Sequence, residues 1–224
     1  MIIVHHLNNS RSQRLLWLLE ELGLDYEIKR YARDPKTKLA PAALRQVHPL
    51  GKSPVIGDGD LILAESGAIV EYLIERYGQG RLIPAIGTSQ RLRYTYWLHY
   101  AEGSAMTPLL LKLVFDQIEK ERVPFIIRPV VRTLARRVKS SYVTPQIEQH
   151  LDYMESELAR APWFAGDEFS AADIQMSFPL EAAAAGAGLD KRRPRLMDFL
   201  ARIHARPAYR RALERGGDYD LVRL

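Results

Sequence analysis

The sequence predicts a two-part fold: an α/β unit over residues 1–80, a linker at 81–88 and an all-α unit over residues 89–224. Three observations predict it. Every run with strand character falls before residue 65. Beyond the Ile83-Pro84 step the apolar residues recur only at helical spacing. The chain of 224 residues is also about one and a half times a typical ~150-residue domain, enough for a core in each part.

Ile2-Ile3-Val4 is a short β-branched run, and residues 26–31 alternate as a half-buried strand does. Between them Leu15, Leu16, Leu18, Leu19 and Leu22 trace one helical face, and Gly23 stands where a left-handed cap ends a helix. Residues 35–46 read as a loop with one helical turn. Val55-Ile56, Asp58-Gly59 and Leu61-Ile62-Leu63 then give strand, turn and strand, because Asp-Gly supplies the positive φ of a tight hairpin. Helical spacing returns over 65–77 through Ile69, Tyr72 and Leu73, with Gly78 closing the helix. The second part opens with a helix over 90–118. It carries Tyr94, Tyr96, Trp97, Tyr100, Leu109, Leu110, Leu113 and Phe115, more apolar surface than one face holds, which predicts burial on more than one side. Helices follow at 125–139, 145–160, 171–185, 194–204 and 207–215. Ser170 and Asp173 form a capping box, with Phe169 and Ile174 at the staple positions, so the 171–185 helix starts at a defined point.

Composition narrows the function. With 47% hydrophobic and 26% charged residues the chain is of ordinary globular type. It contains no cysteine, which excludes disulfides, thiolate metal sites and a protein thiol as nucleophile, and fits a reducing cytoplasm. The first residues lack the pattern of a secretory leader, and charges such as Lys112 and Glu181 break apolar runs well short of the ~20 residues of a membrane span. The net charge of +5 lies wholly beyond residue 80, and Arg128, Arg132 and Arg136 align on one helical face. No nucleic-acid-reading motif accompanies them, so a solvated face is expected rather than a nucleic-acid partner. The six histidines lack ligand spacing, which predicts no metal site. Gly186-Ala187-Gly188 lacks the preceding strand and further glycine of a dinucleotide fingerprint, and reads as a helix-ending loop.

Three segments carry candidate chemistry. In Asn8-Asn9-Ser10-Arg11-Ser12-Gln13-Arg14 a strand end turns into a helix, where unpaired N–H groups and the helix dipole attract an anion. Ser10 and Gln13 equally fit a capping box, so a binding and a structural reading of Ser10 both stand. Ser12 carries no role of its own in either. In His48-Pro49-Leu50-Gly51-Lys52-Ser53-Pro54 a proline at a strand start admits a cis bond that would turn the Ser53 backbone toward a ligand. In Ala64-Glu65-Ser66-Gly67 an acid and a hydroxyl meet at a helix start, where Glu65 can pair with an ammonium and Ser66 with a carboxylate.

Taken in order, Ser10-x-x-x-Arg14, Pro49-Leu50-Gly51-Lys52-x-Pro54, Glu65-Ser66-x-x-Ile69 and the Ser170-x-x-Asp173 box resemble the cytosolic glutathione S-transferases over essentially the whole chain. Most similar are the serine-dependent fungal and bacterial members, which share stretches like Leu15-Leu16-Trp17-Leu18-Leu19 and Asp173-Ile174-Gln175-Met176-Ser177-Phe178-Pro179-Leu180. The resemblance implies an α/β thioredoxin-like N-terminal domain that binds glutathione and an all-α C-terminal helical domain that contributes the electrophile site. It implies a cytoplasmic homodimer that uses glutathione as co-substrate, without another cofactor, to conjugate a hydrophobic electrophile. Hydroperoxide reduction and non-catalytic ligand binding are the alternatives.

Carried over by residue, Ser10 matches the hydroxyl that hydrogen-bonds the glutathione sulfur. Lys52 matches the residue near the glycyl carboxylate, Ser53 the residue before the cis proline, Pro54, and Glu65 with Ser66 the γ-glutamyl pair. His48 stands where many members have Asn, and Ser53 where many have Val or Ile. Met106, Leu110 and Leu113 are candidates to line the electrophile site, although their spacing is also that of a helix core.

Overall fold

In the computed structural model, which describes residues 1–34, 37 and 39–222, β1 (Ile2–Leu7) runs parallel to β2 (Tyr26–Tyr31) on one side. On its other side β1 is antiparallel to β3 (Val55–Asp58), which pairs with β4 (Leu61–Ala64) to complete a sheet of order β2-β1-β3-β4. Parallel neighbours need a crossover, and α1 (Ser12–Leu22) provides it. Gly59 at φ 60° makes the tight β3–β4 turn expected of Asp-Gly. The expected loop over 35–46 includes three residues, 35, 36 and 38, that lie outside the described residues, and its helical turn is a 3-10 turn at Ala42–Gln46. Helix α2 (Ser66–Tyr77) ends the mixed unit.

The helical part begins with α3 (Ser89–Tyr100), a π turn at Ala101–Ala105 and α4 (Met106–Lys120). The single helix expected over 90–118 is thus interrupted, and its burial is uneven. Tyr94, Trp97, Leu98 and Tyr100 of α3 are buried, whereas α4 buries only Met106 and Pro108. Burial on several sides holds for the first half alone, because α5 (Arg128–Val138) covers α4 along one flank and buries only Ala135 of its own residues. The chain continues through α6 (Thr144–Leu158), α7 (Ala171–Gly186), α8 (Pro194–Ala205) and α9 (Pro207–Gly216). Helix α7 touches α1, α2, α3, α4 and α8, and every residue from Ala171 to Glu181 is buried. Its start is the expected capping box, with the Ser170 N–H donating to Asp173 Oδ2 at 2.8 Å.

Helix α1 joins the two parts. Every residue from Ser12 to Leu19 is buried, polar ones included, because the sheet covers one side and α7 and α9 the other. Gly23 at φ 65° ends it, and the N–H of Leu24 donates to Leu19 O at 3.0 Å, so that its last carbonyls are satisfied. Gln13 reaches away from the sheet to donate to Ala212 O on α9 at 2.9 Å. The packing opposite it is close, since a Cβ at Gly216 would lie 2.4 Å from Gln13 Oε1 and would displace that amide. Trp17 is fully buried in this seam, its ring 5.1 Å from that of Tyr209 and 5.6 Å from that of Phe169.

Trp17→Ala should therefore lower unfolding free energy by about 3–5 kcal/mol, the range for truncating a buried aromatic. Urea denaturation followed by circular dichroism measures this directly.

Candidate functional site

The β1–α1 loop is held from the far end of the chain. Asn9 sits at φ 50°, a conformation its short amide tolerates. It donates to Asp220 Oδ2 at 2.7 Å and accepts from the Asp220 N–H at 2.8 Å. Ser10 follows and is buried, but it is not the cap of α1. The helix starts at Ser12 after Arg11, with no side-chain capping bond, and Gln13 is engaged with α9 instead. The capping-box reading of Ser10 is thereby corrected. The helix begins one residue later than that box requires, and the Ser10 hydroxyl accepts from the Ser12 N–H at 3.3 Å and faces Ser12 Oγ at 2.8 Å and Ser53 Oγ at 3.4 Å.

Ser53 links this hydroxyl to a cleft of about 210 Å³. Lys52, Ser53, Pro54, Glu65 and Ser66, all named from sequence, line it together. The Ser53–Pro54 peptide bond is cis, and the Ser53 hydroxyl donates to His5 O at 3.0 Å. Glu65 precedes α2 at φ 72°, a backbone region that favours glycine and costs about 1–3 kcal/mol for other residues. Its side chain makes no capping bond to α2, so the carboxylate stands exposed at the cleft while Ser66 is buried at the helix start. Among the described residues neither Lys52 nor Glu65 has an ion-pair partner, and this cation, this carboxylate and a helix N-terminus suit an extended ligand with charges at both ends.

Three further residues were not singled out from sequence as site residues. Arg11, His48 and Glu102 also line the cleft. Glu102 arrives from the helical part on the π turn, a helix irregularity frequent at functional sites. It receives Arg14 Nη2 and lies 2.9 Å from Arg11 Nε. Arg14 is itself buried and donates through Nη1 to Gln175 O at 2.6 Å. Burial pushes the Arg14 guanidinium down, opposed by Glu102. Burial pushes the Glu102 carboxyl up, but Arg14 and Arg11 outweigh it and hold it below the usual carboxylate value. One sequence signal could have found this residue: Glu102 is the only acid between Ser89 and Phe115. Of the candidates for the electrophile site, Met106 is buried against Phe178 and Tyr219, whereas Leu110 and Leu113 are 52% and 54% exposed and serve no core.

Buried behind Ser10, Ser12 Oγ is 2.8 Å from His6 Nδ1. Burial and the nearby Arg30 push His6 down to about 4, against a raising backbone hydrogen bond with Gly216, so the ring is neutral at physiological pH.

A four-stranded thioredoxin-like unit with its cleft beside the starts of α1 and α2, followed by a helical part that lends one carboxylate, has the layout of a glutathione-dependent transferase. Residues 1–75 match the glutathione S-transferase N-terminal domain and residues 133–202 the C-terminal domain. Glutathione S-transferase 3 of Schizosaccharomyces pombe is 37% identical over 99% of this chain and 90% of its own length. Glutathione S-transferase 1 of Saccharomyces cerevisiae is 35% identical over 82% of this chain and 81% of its own. A glutathione S-transferase structure from Actinobacillus pleuropneumoniae superposes with a TM-score of 0.81 at 34% identity, covering 100% of this chain and 97% of that one. The chain belongs to the glutathione S-transferase family, and it is an enzyme of that class.

Glu102→Gln should cost about 2–3 kcal/mol, below the roughly 3–5 of a fully buried pair because the Glu102 side chain is 30% exposed. The pH dependence has a definite sign. A carboxyl lowered in the folded state gives its full stabilisation above the unfolded value, about 4.3, and loses it as the pH falls through the folded value. Denaturant midpoints of wild type and Glu102→Gln should accordingly differ most at neutral pH and converge in acid.

Proposed function

We propose that this enzyme conjugates the thiolate of glutathione to a hydrophobic electrophile, with Ser10 as the donor that stabilises the thiolate. The observation that carries the reading is the meeting of Ser10, Ser53 and the Lys52, Glu65 and Ser66 cleft at one place, with Ser10 Oγ 3.4 Å from Ser53 Oγ. In this reading Glu65 and Ser66 take the γ-glutamyl end, Ser53 and Pro54 the cysteinyl unit and Lys52 the glycyl carboxylate. The resemblance to serine-dependent members supports these assignments, as do the relatives named above.

The chemistry is thiol activation. A free thiol of pKa about 8.5 is only a few per cent ionised at pH 7. Lowering that value by about 2 units requires roughly 2.7 kcal/mol of preference for the anion. One hydrogen bond to a charged group supplies about 1.5–3 kcal/mol and a helix N-terminus about 0.3–1. Together they suffice. A serine hydroxyl is too weak a base to take the proton, so Ser10 acts as a neutral donor and the proton leaves to solvent.

Residues 1–80 form the glutathione-binding domain in this proposal, 81–88 the linker and 89–224 the domain that offers the electrophile an apolar wall, with Leu110 and Leu113 exposed for that purpose. Pockets favour such domain interfaces. The enzyme works as a cytoplasmic homodimer, without a cofactor beyond glutathione. The apolar side chains left exposed on α3 and α4, among them Leu92, Tyr96, Val114 and Ile118, support the dimer. Among the described residues no helix is long and apolar enough to cross a membrane.

Ser10→Ala should raise the pKa of bound glutathione by about 1–2 units and lower turnover, with affinity near wild type. Ultraviolet absorbance of the thiolate against pH, with an aryl halide and an organic hydroperoxide assayed on the same samples, separates conjugation from peroxide reduction. Glu65→Ala should weaken glutathione binding by about 1.5–3 kcal/mol in calorimetry, the value of a charged hydrogen bond. Light scattering should give twice the 25.6 kDa chain mass at micromolar concentration.

A further inference from the structure

The connection between α4 and α5 leaves four consecutive apolar residues in solvent. Pro124, Phe125, Ile126 and Ile127 are all exposed, Phe125 to 79% and Ile126 to 72%. Such a run is unfavourable on a water-facing surface unless something covers it. The helix that follows does not supply the cover, because α5 buries Ala135 and packs Val138 against the core, both toward its far end. The same tip is basic. From Arg122 to Ile147 the sequence holds Arg122, Arg128, Arg132, Arg136, Arg137 and Lys139 and no acid. Arg136 is paired with Glu119 at 2.5 Å, and Lys139 with Asp116 and Glu119 at 2.6 Å, which ties the far end of α5 to α4. Arg122 and Arg128 bracket the apolar run, and Arg132 lies one turn beyond Arg128 on the same face. All three are exposed, and none has an ion-pair partner among the described residues.

One kind of partner satisfies both halves of this surface. A nucleic acid would take the arginines but has no use for two isoleucines, since bases stack on flat side chains. A second copy related by a two-fold axis would cover the apolar run but bring the arginines of both tips together with no acid between them. An anionic lipid surface admits apolar side chains at the boundary of headgroups and acyl chains, while its phosphates and carboxylates pair with guanidinium groups. We propose that the α4–α5 tip docks this enzyme on an anionic membrane surface, with Phe125, Ile126 and Ile127 entering that boundary and Arg122, Arg128 and Arg132 pairing with the headgroups. Docking of this kind is peripheral and reversible and needs no spanning helix. None of these residues lines the cleft of Lys52, Glu65 and Ser66, so docking does not draw on the glutathione site. A hydrophobic electrophile concentrates in the same lipid, and docking places the enzyme beside it. That consequence rests on the conjugation proposed above, whereas the docking itself does not.

The test is co-sedimentation of the full chain with vesicles of phosphatidylcholine alone and of an equimolar mixture with phosphatidylserine. The protein should bind the mixture and not phosphatidylcholine alone. Raising the salt from about 0.1 M to about 1 M shortens the screening length from ~10 Å to ~3 Å and should release it. Two double variants separate the two halves of the surface. Arg122→Gln with Arg128→Gln should weaken binding to the mixed vesicles about 25-fold, at roughly fivefold for each cation at an anionic leaflet. Phe125→Ser with Ile126→Ser should weaken it about tenfold or more. Both pairs alter exposed side chains away from the cleft, so turnover with a small aryl halide in vesicle-free buffer should match wild type. No binding to the mixed vesicles, equal binding to both kinds, or binding that survives both double variants would each overturn the proposal. Duplex DNA that binds where the mixed vesicles do not would assign the arginines to nucleic acid and overturn it as well. A variant whose mass by light scattering falls to half that of wild type would place the tip in a contact between copies, with the same result.

Discussion

A guanidinium cannot be buried without partners, and Arg14 is buried where the sheet unit meets the helical part. Desolvation of an ion costs several kcal/mol, so the fold must bring it an acid and an acceptor. It brings Glu102 from the π turn and the Gln175 carbonyl from α7. Three segments distant in sequence are thereby held to one point. The same point is the wall of the cleft, since Glu102 faces both Arg14 and the cavity. Phe178 of α7 covers the cluster, its ring 5.3 Å from the Arg11 and 5.6 Å from the Arg14 guanidinium carbon.

Helix α1 transmits this constraint. It is the crossover that a parallel β1–β2 pair demands, and it is also the surface on which α7 and α9 dock. Its polar residues are therefore buried like its leucines and divide by direction. Gln13 points to α9, Arg14 to α7 and the π turn, and Ser12 back to β1 through His6. The loop before it has little freedom, being clasped by Asn9 to the 3-10 turn Asp220–Val222. Ser10 occupies the place left by these contacts, beside Ser53 and facing the cleft wall. In the proposed role, a donor already placed before its anion arrives needs little reorganisation when it binds.

Most of the elements were legible because their signals are local. Gly23, the Asp58-Gly59 turn, the β-branched runs and the Ser170–Asp173 box each act within a few residues, and each stands where the sequence predicts it. The positions of Lys52, Ser53, Pro54, Glu65 and Ser66 were legible through the order of motifs, and the folded chain gathers them at one cleft. The uneven burial of α3 and α4 was not legible. Apolar spacing reports which residues could be covered, while the cover itself comes from α5, α6 and α7.

By itself the sequence determined the class of fold, the order of its strands and helices apart from the break between α3 and α4, and the segments that form the cleft, because periodicity, caps and turns depend on neighbours along the chain. Only the tertiary structure decided what Ser10 touches. The spacing of Ser10 and Gln13 permits a capping box, and α9 overrides it by offering Gln13 the Ala212 carbonyl 199 residues away. It alone decided that Ser12 stands on a buried histidine and that Glu102 answers Arg14 across 88 residues. The physical reason is the same in each case: a polar side chain in the interior must find its partner in space, and nothing in its local sequence says which element will supply it.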